Sequence, residues 1–432
     1  MIEMLNYLKG KFLTTKNIAR SSYAWNTVSG MLFAMQSAIL LMVITRTNGL
    51  EDAGVFSIAY AISSLMYYIG EFGVRKYQIT DIKEKASFRD YHTHRILTCI
   101  IALIISVFYA GQGRITGLYS INKSLVILLV CSKKVVEAYS DVFFSRFQQK
   151  GRLDVSAKTN TFRISLSLLM CIISLIITHN LLFSMIVWLV AGIATFLISS
   201  ILVAPEFCKI EFKIVKKQMI FITKECLPLF IGTFLLLYVG NAPKYAIDAC
   251  MTDTDQACFN FIFMPVFVIG LLANFIFNPI LVELTRSWNE GDFKKFKRII
   301  ERQLFIILGI TLLAVAVALT FGAPVLGMLF NADLQGYKPP LTILMVGGGM
   351  LALANFFTVT VTVIRGQKHL MIGYISIAVV AKLFSNIVVK GYGIIGAALL
   401  YTVLMTLISV FFFIIFIVCA KKGYREIQKE TK

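Results

Sequence analysis

The sequence predicts an all-α polytopic membrane protein with about twelve transmembrane helices in two six-helix lobes. The lobes are expected to be related by a pseudo-two-fold axis along the membrane normal, around a central cavity. Three observations predict this. First, 58% of the 432 residues are hydrophobic and only 15% are charged. Second, apolar runs recur down the whole length, each close to the ~20 residues that cross a ~30 Å hydrocarbon core. Lipid enforces the helix, because an unpaired backbone amide is too costly there. The runs do not alternate as barrel strands would. Third, a pattern returns about half a chain later. Asp52-Ala53-Gly54-Val55-Phe56 answers Asp255-Gln256-Ala257-Cys258-Phe259, and Phe88-Arg89-Asp90-Tyr91 answers Phe293-Lys294-Lys295-Phe296, with an offset drifting only from 203 to 205. Acidic turn, small residue, aromatic, apolar span and basic helix are shared, so the chain reads as two copies of one module.

The net charge of +19 raises nucleic acid as a partner, but its distribution argues against that. The basic residues sit in short loops between apolar spans, as orientation signals do. The basic amino end lacks an apolar h-region and a small-residue cleavage site, so it reads as an uncleaved cytoplasmic end. The eight cysteines are scattered with no CxxC pair, which leaves zinc and redox motifs unsupported. Cys250 and Cys258 flank one outer loop and read as apolar filler rather than a pair.

Taken in order, the spans fall at about 22–45, 54–74, 96–112, 124–145, 161–179 and 181–203, then 220–242, 257–281, 303–323, 340–363, 370–389 and 393–419. This gives an amino-terminal lobe over 1–204, a basic amphipathic connector over 205–219 on the inner membrane surface, and a carboxyl-terminal lobe over 220–432. Of the 42 Lys and Arg residues, 33 fall at the two ends, in the loops after spans 2, 4, 6, 8 and 10, and at the helix ends that adjoin those loops. That bias places both termini in the cytoplasm. An even number of helices per half makes the repeats parallel, with any cavity expected between the halves near the midplane. Pro228 is expected to break span 7, and Pro265 and Pro279 span 8. Gly347-Gly348-Gly349 opens span 10 to close packing or a hinge.

Ionisable side chains at membrane depth cost ~2.5–3.5 kcal/mol each even on the mildest scale, so each needs a reason. Span 4 concentrates them: Lys133, Glu137 and Asp141 are spaced i, i+4, i+8 on one stripe, and Lys134 is three before Glu137. Such a stripe is either a salt-bridge ladder that orders the bundle or the lining of a substrate path. Two lysines exceed what local pairing requires, which favours the second reading. Span 1 carries Asn26 and Gln36 and ends at Arg46. The equivalent place in the second repeat holds Tyr238, Asn241, Lys244 and Asp248, so Arg46 and Lys244 are candidates to face one cavity. Lys382, with Asn386 one turn on, is a further cavity candidate. Glu71 and Arg75 read as an interfacial ion pair. His92 and His94, two apart on a charged segment, read as solvated surface rather than shared metal ligands. Segments 75–95 and 284–302 read as amphipathic surface helices.

Enzymatic signatures are missing from the sequence. No GxxxxGK[ST] loop or GxSxG elbow is present, and no large outer loop bears paired acids for sugar chemistry.

Three stretches carry a family resemblance. NGLEDAGVFSIAYAI after span 1 is near an "LG…(D/E)xGxF" pattern. APKYAIDACMTDTDQACFNFIF is similar to a "P+Y.I … G.Y" stretch entering span 8. NPILVELTRSWNEGDFKKFKR is similar to a "P.L++" segment with a basic amphipathic helix. The chain thereby resembles, over essentially its whole length, the polysaccharide-transport branch of the multidrug/oligosaccharidyl-lipid/polysaccharide exporter superfamily, the flippases for O-antigen or capsule repeat units. It departs at Ala257, where glycine is usual, and at Asn48-Gly49-Leu50, where Leu-Gly is common. The resemblance implies a V-shaped cavity, alternating access and an undecaprenyl-diphosphate-linked oligosaccharide as substrate. Lys133, Lys134, Arg46, Lys244 and Lys382 would meet the diphosphate. Glu137 and Asp141 would reset the cavity or bind a coupling H+ or Na+; no other cofactor is expected. Expected partners are the lipid-linked substrate, membrane lipids and a polysaccharide polymerase complex, with a monomer as the simplest state. The alternative is a cation-coupled multidrug antiporter of the same superfamily, which would want acids rather than lysines to dominate.

Overall fold

The computed structural model describes the backbone of residues 2–81, 83–364 and 366–430, and the side chains of these apart from 2–6, 8, 271–279, 281, 282, 367, 368, 423 and 425–430. The described residues form helices α1 (Ile2–Leu13), α2 (Ile18–Thr47), α3 (Leu50–Glu71), α4 (Val74–Thr80), α5 (Phe88–Ile115), α6 (Ile121–Gln149), α7 (Leu153–Thr178) and α8 (Leu181–Phe196). There follow α9 (Lys216–Cys250), α10 (Asp253–Asn289), α11 (Phe293–Val317), α12 (Ala323–Phe330), α13 (Lys338–Val363) and α14 (Gln367–Glu430). Among the described residues, nine segments are long and apolar enough to cross a membrane. One of them, His369–Lys422, has 54 residues, about 80 Å if straight and far longer than a bilayer. It bends at Gly393, whose φ of 57° belongs to the left-handed region. The protein is an all-helical, multi-pass membrane protein.

Two compact units divide the chain, Met1–Phe234 and Leu235–Lys432. In the first unit α6 is the central helix and packs against α3, α4, α5, α7 and α8. In the second, α13 is central and packs against α10, α11 and α14.

Local chemistry sets the helix ends. Ser87 begins α5 with a capping box, its hydroxyl accepting from the Asp90 amide while Asp90 accepts from the Ser87 amide. Thr252 and Asp255 do the same for α10. α3 stops where Phe72 turns left-handed at φ 51°. Phe72 is held there by stacking on Phe230, with ring centroids 4.5 Å apart. Gly73 follows at φ 69°, and a Cβ there would stand 2.9 Å from Leu229 Cβ, so both backbone and space require glycine. Glu71 accepts from the Gly73 and Arg75 amides, each at 3.3 Å. It therefore caps α4 instead of pairing with the Arg75 guanidinium as the sequence led us to expect.

Other expectations also change. α9 runs unbroken through Pro228, and α10 runs unbroken through Pro265 and Pro279, because a single lost amide donor leaves the rest of each ladder intact; the side chain of Pro279 lies outside the described residues. Segment 75–95 is not one surface helix: Phe88–Arg95 forms the first two turns of α5, and Tyr91, His92, His94 and Arg95 are buried. Segment 284–302 likewise divides into the end of α10 and the start of α11. The two histidines are structural. His92 Nδ1 lies 2.9 Å from the Glu211 carbonyl and Nε2 lies 2.8 Å from the Tyr139 hydroxyl. His94 Nε2 reaches the Thr223 hydroxyl at 3.1 Å. His92 anchors residues 208–215, an irregular strap over the start of α5 whose Lys213 amide donates to Thr93, while His94 ties α5 to α9. His179 Nδ1 meets the Thr47 carbonyl at 3.0 Å, and Asn48 donates to the His179 carbonyl and to Asp52 at 2.9 Å each. Together they clip the α2–α3 turn to the α7–α8 turn.

Candidate functional site

The side chains with the most unusual surroundings lie at the middle of α6. Helical spacing puts Lys133 and Glu137 one turn apart, and both are buried, with Lys133 0% and Glu137 1% exposed. Both neighbouring ammonium groups converge on the one carboxylate: Lys133 donates to Oε1, and Lys134 donates to Oε2 at 2.8 Å. A third cation arrives from α7, where Arg163 Nη1 stands 3.5 Å from Glu137 Oε1. Asn160 orients that guanidinium, accepting from its Nη2 at 2.7 Å.

Aromatic faces complete the shell. Lys133 Nζ lies 4.5 Å from the Trp188 ring centroid on α8. Lys134 Nζ lies 4.5 Å from Tyr60 on α3 and 4.8 Å from Phe33 on α2. Desolvated cation–π contacts of this kind contribute ~2 kcal/mol. Five helices thus build one site around a single residue.

Charge arithmetic decides what the site can do. Among the described ion pairs, Lys133, Lys134 and Arg163 share only Glu137, so three basic groups meet one carboxylate, a formal +2 with every group ionised. Arg163 Nε and Trp188 Nε1 are buried without an acceptor among the described residues. The site is rich in donors and poor in acceptors. A buried excess of positive charge at membrane depth is costly unless an anion answers it.

Asp141, one turn beyond, belongs to a second cluster. It pairs with Arg75 from α4 and lies 3.5 Å from Arg95 Nη2 of α5, while Arg95 Nη1 donates to the Ala138 carbonyl at 2.7 Å. The single stripe read along span 4 is therefore two sites. Sequence reasoning missed Arg95, because it started span 3 at 96 whereas α5 starts at Phe88, and it passed over Arg163, two residues inside span 5, by counting it with the basic loop before that span. The capping signal at Ser87 was the available clue for α5.

The remaining candidates are dispersed. Gln36 is buried in α2, three residues after Phe33, and its Nε2 has no partner among the described residues. Asn26 and Arg46 are exposed near opposite ends of α2. Lys244 is 5% exposed and stands 4.6 Å from the Phe263 ring centroid, with Asn241 and Asp248 buried on the same helix. Tyr238 stacks on Tyr245 with centroids 5.9 Å apart. Lys382 and Asn386 are exposed on α14. The structure thus brings Lys133, Lys134 and Glu137 into direct contact and leaves Asp141 beside them. Cys250 and Cys258 are both free thiols. Among the described residues no group of three or more His, Cys, Asp or Glu is placed to hold a metal ion.

Comparison with known proteins agrees with this architecture. Residues 20–285 match the family described as "Polysaccharide biosynthesis protein". The "Capsular polysaccharide biosynthesis protein CapF" of Staphylococcus aureus is 24% identical over 397 residues, covering 89% of this chain and 96% of that protein. In fold, the chain is similar to a solved "Lipid II flippase MurJ, inward closed conformation", with a TM-score of 0.69 at 13% identity, over 93% of this chain and 90% of that one. It is also similar to an inward-facing multidrug resistance MATE family transporter of the MOP superfamily, with a TM-score of 0.66 at 14% identity, over 95% and 100% of the two chains. The solved relatives of this fold are transporters and flippases, not enzymes.

Proposed function

We propose, from the premise that this chain belongs to the polysaccharide biosynthesis protein family, in the polysaccharide-transport branch of its superfamily, that it is a flippase for undecaprenyl-diphosphate-linked oligosaccharide repeat units. It moves them across the cytoplasmic membrane of a bacterium by alternating access, for a surface polysaccharide. Both termini face the cytoplasm, and H+ or Na+ drives the cycle. The protein works as a monomer and passes its product to a polysaccharide polymerase.

The observation that carries this reading is the convergence of three basic side chains on the one carboxylate of Glu137. A diphosphate-linked glycan is anionic, and its phosphate oxygens would add acceptors to a site where Lys133, Lys134 and Arg163 share one carboxylate. Glu137 acts as the resident anion: it holds the three donors in place between cycles and yields them when phosphate arrives. Arg163 offers a planar fork for phosphate, while the lysines offer flexible point charges. Glu137 and Asp141 are each outnumbered by basic partners, which disfavours a cation antiporter.

The test is leaflet exchange of a fluorescent lipid-linked oligosaccharide in liposomes holding the purified protein. Hydrogen bonds to charged groups contribute ~1.5–3 kcal/mol, so Lys133→Ala and Lys134→Ala should each slow exchange about tenfold to a hundredfold with expression intact. Unchanged exchange in both variants removes the site. Ion-coupled efflux of a cationic dye without lipid exchange would instead make the protein an antiporter.

A further inference from the structure

A second basic site, in the other unit, lies between the end of α10 and the start of α11. It is a cavity of about 410 Å³ whose wall includes Lys294, Lys295, Arg298, Arg302, Glu283 and Gln303. Its two acids are already engaged. Glu283 lies 3.2 Å from Lys295 Nζ, and Asp292 caps α11 by accepting from the Lys295 amide at 2.9 Å. Among the described ion pairs none involves Lys294, Arg298 or Arg302, and their i, i+4, i+8 spacing sets them on one exposed stripe.

Gln303 provides the independent observation. It takes a place in the buried stripe of α11, with Phe296, Ile300 and Ile307, where packing alone would favour an apolar residue. It is 0% exposed, lines the cavity, and neither Oε1 nor Nε2 has a hydrogen-bond partner among the described residues. An unpaired buried amide costs free energy unless a ligand or water satisfies it.

The surroundings identify the ligand's chemistry. Ile280 and Ile299 share the wall with the cations. Beyond Arg302 the same helix turns apolar, and Phe305, Leu308 and Leu312 are 74%, 53% and 60% exposed. A phosphate-seeking end that runs directly into an oil-seeking stripe matches an amphiphile. We infer that this cavity binds the phosphate of an anionic membrane lipid, with Arg298 and Arg302 on the headgroup, Gln303 satisfied by it, and the acyl chains along Phe305 and Leu312. Basic pockets among membrane helices take such headgroups. This site is separate from the Glu137 cluster, and its test contains no transport step.

The test is native mass spectrometry of the full-length protein in detergent, titrated with dioleoylphosphatidylglycerol, dioleoylphosphatidylcholine or inorganic phosphate. The wild-type protein should retain phosphatidylglycerol at least about tenfold better than phosphatidylcholine, since each nearby Lys or Arg favours an anionic headgroup. Arg298→Gln/Arg302→Gln should abolish that preference and Gln303→Leu should reduce it. Lys297→Gln, which disturbs only a surface pair with Glu301, should keep it. Equal retention of both lipids by the wild-type protein, or an unaltered preference in either the double variant or Gln303→Leu, overturns the proposal. Inorganic phosphate retained as well as phosphatidylglycerol also overturns it, by showing that the cavity takes free phosphate.

Discussion

The central helices of the two units, α6 and α13, solve one problem in opposite ways. Helices in lipid gain little from the hydrophobic effect on association, so they rely on close backbone approach or on polar pairing. α13 uses close approach. A Cβ on Gly347 would lie 2.7 Å from Thr402 Oγ1, one on Gly348 would lie 2.8 Å from Ile269 Cδ1, and one on Gly349 would lie 2.2 Å from Thr311 Oγ1. α14 then adds hydroxyl bonds, from Thr402 to the Ile343 carbonyl at 2.9 Å and from Ser409 to the Met350 carbonyl at 3.2 Å. α6 uses ions instead, with Glu137 and Asp141 each serving more than one cation. The glycine solution is complete in itself. The ionic one leaves charge over, and that residue of charge is what a ligand can use.

This contrast can be broken most sharply at Glu137. Removing one member of a buried pair strands its partners, so Glu137→Gln should cost about 3–5 kcal/mol. Thermal unfolding in detergent measures it, and a loss near zero would mean that water already solvates the three cations. On α13 the expected effect is smaller: Gly349→Ala must push Thr311 aside, and overpacking costs about 1–3 kcal/mol. Gly309→Ala on α11, where no atom lies within 4 Å of the new methyl, should be neutral or stabilising by up to ~1 kcal/mol. Equal destabilisation at both glycines would show that packing is not what α13 needs from them.

The smallest effect belongs to the loop before α5. Glu84 accepts from Lys150 at 2.7 Å and from Arg146 at 2.9 Å. These hydrogen bonds hold its carboxyl below the usual carboxylate range. A carboxyl depressed in the folded state stabilises above its unfolded value of ~4.3 and loses that contribution as pH falls further. The melting temperature of wild type should therefore drop slightly more between pH 6 and pH 3 than that of Glu84→Gln. Identical profiles would show that this exposed cluster contributes nothing.

Much of the site was legible before the fold was known. Lys133, Lys134 and Glu137 announce themselves because charge inside an apolar run is rare and costly. Their contact follows from helical spacing alone. Arg163 and Arg95 were not legible as partners, since basic residues near a span's end normally mark orientation. Arg95 became a partner because α5 begins about two turns earlier than bilayer thickness requires, which draws its first turns into the bundle, and Arg163 became one because α7 packs beside α6. His92 and His94 looked like solvent-facing residues for the same reason.

The amino-acid order by itself determined that this is a membrane protein, where most helices lie, and that α6 carries ions where a span should be apolar. Those properties follow from local composition and from the insolubility of bare backbone in lipid. Only the tertiary structure decided which cations meet at Glu137, that Asp141 joins a different cluster, and that Gln303 faces a basic cavity with its amide unpaired. These depend on the rotation and packing of helices distant in the chain, which local periodicity does not encode.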